Sequence, residues 1–237
     1  MIVCPLNTGE CNRLILPKPR TVFVMAPSTK YQTEDSKIVL SNIIKNLSDL
    51  SYKIIEGSTI VRHGDYFCSI CQDLQGCAFG VAIVYDGLPV STISNIYLET
   101  GIMQGFGKPV ILFVDRKKNL PSDYIRHYAV FYNSKKYLSR YRSVLEDISK
   151  LPENVYEYVG QFAFKARDFE KSAKYYQEAY LINPRKETLR EIKSIASALE
   201  RARGIPRAYK RRLLENIQYF CSNVGKSTKL LRTKKEQ

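Results

Sequence analysis

Apolar side chains run in short unbroken blocks through the first half of the chain and at helical spacing through the second. Thr21-Val-Phe-Val-Met-Ala26, Phe79-Gly-Val-Ala-Ile-Val-Tyr85 and Pro109-Val-Ile-Leu-Phe-Val114 lack a polar face. A strand covered on both sides needs none, so these blocks predict buried parallel strands. Tyr52-Lys-Ile-Ile-Glu56 and Ala129-Val-Phe-Tyr132 complete a set of five. Between them the spacing changes. Ile38, Val39, Ile43 and Leu47 share one face of a helix over 35–50, and Phe67, Ile70 and Leu74 share one over 65–77. A third helix spans 94–105, with Ser94 or Asn95 as its N-cap. Strands alternating with amphipathic helices predict an α/β fold: a doubly wound, flavodoxin-like, mostly parallel five-stranded sheet over 21–133.

Past residue 134 the strand blocks stop. Helical periodicity covers 135–151, 154–166, 168–182, 186–203 and 206–224, which predicts an all-α region. Residues 1–20, with Pro5, Gly9, Pro17 and Pro19, read as an irregular arm. Residues 225–237 read as a frayed basic tail. The longest apolar runs fall far short of the ~20 residues that cross a bilayer. No basic segment followed by an apolar stretch opens the chain, so a cytoplasmic location is expected.

Charge sharpens this division. Residues 1–133 carry 13 Lys+Arg against 11 Asp+Glu, a net of +2, while residues 134–237 carry 24 against 12, a net of +12. The two regions therefore have different electrostatic roles. Six Cys in 237 residues is too sparse for a disulfide scaffold, which points to free thiols.

In doubly wound sheets ligands sit beyond the carboxyl ends of the strands, where the strand order reverses. Three carboxylates are expected there: Asp86 at the end of the third strand, Glu99 in the next helix, and Asp73 late in the preceding one. Taken singly, each has a plain alternative. Asp86-Gly87 is a common turn pair, and Glu99 and Asp73 can be solvated helix charges. Ala26-Pro27-Ser28-Thr29, after the first strand, reads equally as a loop or as a phosphate-binding turn.

The segment 73–114 carries Asp73, then Asp86, then Asn95-Ile-Tyr-Leu-Glu99-Thr-Gly101, then Gly107-Lys-Pro-Val-Ile-Leu-Phe113. Together with Ala26-Pro27, this order resembles the nucleoside 2-deoxyribosyltransferase family and its TIR-like nucleotide-binding relatives. The resemblance implies that Glu99 is the nucleophilic or charge-stabilising carboxylate, with Asp73 and Asp86 handling the base and its proton. Asn95, Tyr97, Pro27 and Ser28 would contact substrate, although Tyr97 reads equally as a core residue. It implies no cofactor; NAD would be a substrate. Chemistry permits the role, because breaking an N-glycosidic bond develops positive charge at C1′ that a carboxylate can stabilise. A base leaving group needs a proton, whereas a pyridinium does not. Three departures set this chain apart: Gly76-Cys-Ala-Phe-Gly80 lacks an Asp before the strand, Thr92-Ile-Ser-Asn95 replaces Asn-Pro-Asn, and Thr100 follows the Glu.

Other motifs point less far. Cys68-Ser-Ile-Cys71 with Cys4 and Cys11 reads as buried thiols, a redox pair or a zinc set, and no metal ligand is assigned from it. His63 and His127 adjoin no Ser or Cys motif. Gly101-Ile-Met-Gln-Gly-Phe-Gly107 follows a helix rather than a strand, which excludes a Rossmann or Walker phosphate loop. Tyr156-Glu-Tyr-Val-Gly160, Ala163, Ser172, Tyr176, Ala179 and Pro184 resemble one tetratricopeptide repeat. That implies stacking on neighbouring helices, and a protein partner or self-association. Arg201, Arg203, Arg207, Lys210, Arg211 and Arg212, interleaved with Tyr209 and Tyr219, read either as a solvated face or as a nucleic-acid surface. The leading expectation is a nucleotide-processing enzyme acting at an N-glycosidic bond. The alternative is a sensor or scaffold that binds without turnover.

Overall fold

A computed structural model describes residues 14–57, 66–115, 128–133 and 136–233, with side chains for all of these but 66, 67 and 225–233. Five strands, β1 (Thr21–Met25), β2 (Lys53–Glu56), β3 (Phe79–Val84), β4 (Val110–Val114) and β5 (Ala129–Phe131), form one sheet in the order β2-β1-β3-β4-β5. Every pairing is parallel. The order reverses between β1 and β3, which makes their carboxyl ends the switch point. This is the doubly wound, flavodoxin-like arrangement expected from the apolar blocks.

Strand alternation sorts side chains to two faces. Val22 and Val24 of β1 face Val39, Ile43 and Leu47 of α1 (Glu34–Asp49). Phe23 and Met25 face the opposite layer, where Ile70 and Leu74 of α2 (Tyr66–Gly76) meet Ile96 and Met103 of α3 (Val90–Gly105). Thr33 caps α1 by accepting from Ser36 N at 3.2 Å, and Glu34 and Asp35 favour its N-terminal dipole. α3 begins four residues before Ser94. Pro89 precedes its first residue and its carbonyl accepts from Ile93 N at 3.1 Å, so no side-chain cap is used.

The second half is helical. α4 (Tyr137–Leu151) packs Tyr141, Val144 and Ile148 onto the α1 side of the sheet. A π-helical turn at Pro152–Tyr156 joins it directly to α5 (Glu157–Lys165), because Pro152 supplies no N–H for the ordinary helical bond. α6 (Phe169–Ile182), α7 (Lys186–Arg201) and α8 (Arg207–Thr233) follow. At the α5–α6 crossing a Cβ on Gly160 would stand 2.9 Å from the Tyr176 ring, and Ser172 Oγ donates to Gly160 O at 2.8 Å. Only glycine allows that approach. The α8 backbone continues to Thr233, past the expected end at Val224. A single Gly225 costs a helix about 1 kcal/mol, and no proline follows it. Residues 234–237 lie outside the described residues.

One apolar core runs from Phe79 and Phe113 through Tyr141 and Ile148 to Tyr176, Ile192 and Phe220, crossing the junction at residue 134 without a break. Polar contacts fasten the helices to the amino edge of the sheet. Arg20 N donates to Leu181 O at 2.7 Å, and the Tyr156 hydroxyl donates to Gly107 O at 3.1 Å. Lys108 Nζ reaches Glu178 of α6 at 2.7 Å.

Candidate active site

Glu99 lies midway along α3, on the turn after Asn95, and it is half-buried. Its surroundings are set by Gly57, the residue after β2. A Cβ on Gly57 would stand 3.7 Å from Glu99 Oε1 and 3.2 Å from the edge of the Phe23 ring. The carboxyl group therefore reaches the carboxyl end of β2 beside Gly57, whose other close neighbour is the edge of the Phe23 ring, so a side chain at 57 would crowd both. Burial raises its pKa to about 7. No hydrogen bond or ion pair among the described residues engages it. A carboxyl group raised by desolvation, with no compensating cation among the described residues, is a candidate for acid–base or charge-stabilising work.

Asp86 follows β3 and occupies the same carboxyl edge. It is exposed, and its Oδ1 accepts from Gly87 N at 3.2 Å, with Gly87 at φ 88°. This is turn geometry in which only Gly is relaxed. The expected convergence of three acids fails at Asp73. That side chain is buried near the C-terminus of α2 and ion-pairs with Lys18, whose backbone N–H donates to Gly76 O at 2.9 Å. Ala78 N donates to Thr21 O nearby, at the start of β1. These are amino-edge positions. A helix between two parallel strands runs back along the sheet, so a residue late in α2 ends beside the beginning of β3. Six residues of β3, roughly 20 Å at about 3.3 Å each, separate that edge from Asp86.

The remaining candidates divide similarly. Asn95 is exposed on α3, one turn nearer the carboxyl edge than Glu99. Tyr97 packs against the α2–α3 apolar layer. Pro27 is buried at the end of β1, and Gln32 Nε2 donates to its carbonyl at 2.8 Å. Ser28 Oγ, just beyond β1, is buried with no hydrogen-bond partner among the described residues. The Tyr85 hydroxyl donates to Tyr31 O and ties the loop after β1 to the end of β3.

Sequence reading missed Gly57 and Phe23. The only signal was a glycine closing a short strand. It also did not assign Lys108, whose ammonium is buried in contact with Cys77 O and Glu178, both at 2.7 Å. Cys77 itself is buried, and its thiol is pushed up to about 12. Cys68 and Cys71 lie on α2, where Gln75 Nε2 donates to Cys71 Sγ at 3.3 Å. Cys4, Cys11, His63 and His127 lie outside the described residues. A separate cleft of about 560 Å³ opens at the amino edge between α1, α4 and the end of α6. Its Arg20 stacks 4.5 Å above the Tyr52 ring and donates to the Leu50 carbonyl, so the α1 C-terminus absorbs that cation.

Among the described residues no helix is long and apolar enough to cross a membrane. In comparisons with known proteins the chain matches no family model, and no curated protein is similar to it in sequence.

Proposed function

We propose that the carboxyl-edge site around Glu99 cleaves or transfers at an N-glycosidic bond of a nucleoside or NAD-like substrate. One observation carries the reading: a half-buried carboxyl group with a pKa of about 7, unpaired among the described residues, beside Gly57 at the carboxyl end of β2. An approaching cationic centre, such as C1′ of a ribosyl group losing its base, stabilises the ionised form of that group and is stabilised by it. Binding of such a substrate thus restores the charge that burial suppresses.

The separation of the acids narrows the chemistry. Asp73 is held by Lys18 at the other edge, and Asp86 is a solvated turn residue. A neutral base leaves with a proton from a nearby acid, whereas nicotinamide leaves from a pyridinium without one. A single perturbed carboxylate therefore fits an NAD-like substrate better than a deoxynucleoside. Ser28 Oγ and Asn95 are the polar groups offered to its ribose or phosphate. Cys68, Cys71, Cys77 and Cys221 form no disulfide among the described residues, which accords with a reducing cytoplasmic setting.

The second reading, a sensor that binds nucleotide without turnover, is favoured by the same displacement of Asp73. Incubation with NAD and with deoxynucleosides, wild type against Glu99→Gln, separates the two. Nicotinamide release by the wild type and at least 100-fold less by the variant supports catalysis at Glu99. Saturable NAD binding without base release supports the sensor. Release that is equal in both proteins removes Glu99 from the mechanism.

A further inference from the structure

The strongest charge asymmetry in the chain lies at the α7–α8 corner. Residues 185–237 hold 15 Lys+Arg against 5 Asp+Glu, a net of +10. The structure divides these cations by what they do. Lys210 is used internally: its Nζ donates to the carbonyls of Glu200 (2.5 Å) and Ala202 (3.1 Å), closing the end of α7. Arg201, Arg203, Arg207 and Arg211 are exposed around the same corner, and of these four only Arg211 makes an ion pair among the described residues, a loose 3.8 Å contact with Glu215. No acid occupies the first turn of α8, where the helix dipole favours one. Four guanidinium groups gathered within eleven positions repel one another, and Arg207 and Arg211 stand near the positive end of the α8 dipole. A bound polyanion relieves both effects.

We infer that this corner is a docking surface for the phosphodiester backbone of double-stranded nucleic acid, read without base specificity. Guanidinium groups bind phosphate through paired N–H donors, and four of them give a polyanion several contacts at once. The tyrosines contribute little to the surface: the Tyr209 hydroxyl donates to Glu170 at 2.8 Å and anchors α8 to α6, and Tyr219 is half-buried. An anionic membrane fits less well. The apolar face of α8, with Ile217, Phe220 and Val224, is buried in the core, and none of the large exposed apolar side chains lies between 163 and 224. The cationic surface thus has no apolar group to insert. The sequence continues the pattern with Lys226, Lys229 and Arg232 along the same helix.

The test is binding of the full chain to a fluorescent 30-base-pair random duplex, as DNA and as RNA, over a salt series. Four phosphate contacts give a log–log salt slope of about −3.6, so affinity falls roughly 100-fold between 50 and 200 mM salt. Replacing Arg201, Arg203, Arg207 and Arg211 together by Ala removes that slope and weakens binding at least tenfold at 50 mM. These four side chains are exposed, so far-UV circular dichroism stays unchanged. A control carrying Lys30, Lys37, Lys45 and Lys53 as Ala loses the same formal charge from another surface and keeps the slope. Vesicles with 30% anionic lipid serve as the competing polyanion. The proposal is overturned by no duplex binding at 50 mM salt, by equal loss in the control, or by binding to vesicles alone.

Discussion

Lys108 Nζ lies 2.7 Å from a carboxylate oxygen of Glu178, with both side chains withdrawn from solvent, so a residue preceding β4 is ion-paired to the middle of α6. Burial raises the pKa of Glu178, and the adjacent ammonium opposes that shift. The pair pins the helical region to the amino edge of the sheet at a point where neither charge has water to fall back on. Removing one partner leaves the other charge buried and uncompensated. Lys108→Met should therefore lower unfolding stability by about 3–5 kcal/mol in urea titrations. The double variant Lys108→Met/Glu178→Leu should recover most of the loss. An additive double variant would show that the two side chains do not act as a pair.

Glu99 makes stability depend on pH in a specific direction. Its folded-state pKa, about 7, stands above the ordinary value of 4.5. Between those values the native state holds the proton more tightly than the unfolded chain does. Stability from this group is complete below pH 4.5, declines as pH rises toward 7, and is lost above it. The decline is at most roughly 3 kcal/mol. Glu99→Gln should flatten this slope, making the variant more stable than wild type at pH 8 and nearly equal to it at pH 4.5. Urea midpoints for both proteins across pH 4.5–8 provide the check, and parallel curves would dismiss the desolvated carboxyl group.

Asp73 offers a test of the site's extent. The resemblance assigns it to base chemistry, but the structure pairs it with Lys18 at the far edge. Asp73→Asn and Lys18→Met should each lower stability by about 1–3 kcal/mol. Neither should alter the pH profile of nicotinamide release per folded molecule. A shifted profile in Asp73→Asn, absent from Lys18→Met, would return Asp73 to the chemistry.

The layers were legible from pattern because burial leaves a periodic trace. Val22 and Val24 go to one face and Phe23 and Met25 to the other, as a period of two requires, while Val39, Ile43 and Leu47 follow the helical period. The parallel sheet and the helical second half follow from those two periods, and the cationic C-terminal region follows from simple counting. Local signals also have limits. α3 starts four residues before Ser94 because Pro89, not a hydroxyl side chain, precedes it. α8 runs on through Gly225 to Thr233 because a lone glycine weakens a helix without ending it.

What the linear chain determined is thus periodicity, element type and charge distribution, all of them properties of near neighbours. Only the tertiary structure decided which edge of the sheet each acid occupies. Asp73 and Asp86 are 13 positions apart, yet β3 carries them to opposite edges of the sheet. Gly57 and Glu99 are 42 positions apart and adjoin. The physical reason is that each α/β crossover reverses the chain's direction. Proximity then depends on which end of an element a residue occupies, and the environment that sets the Glu99 proton affinity is assembled from β1, β2 and α3 only when the sheet closes.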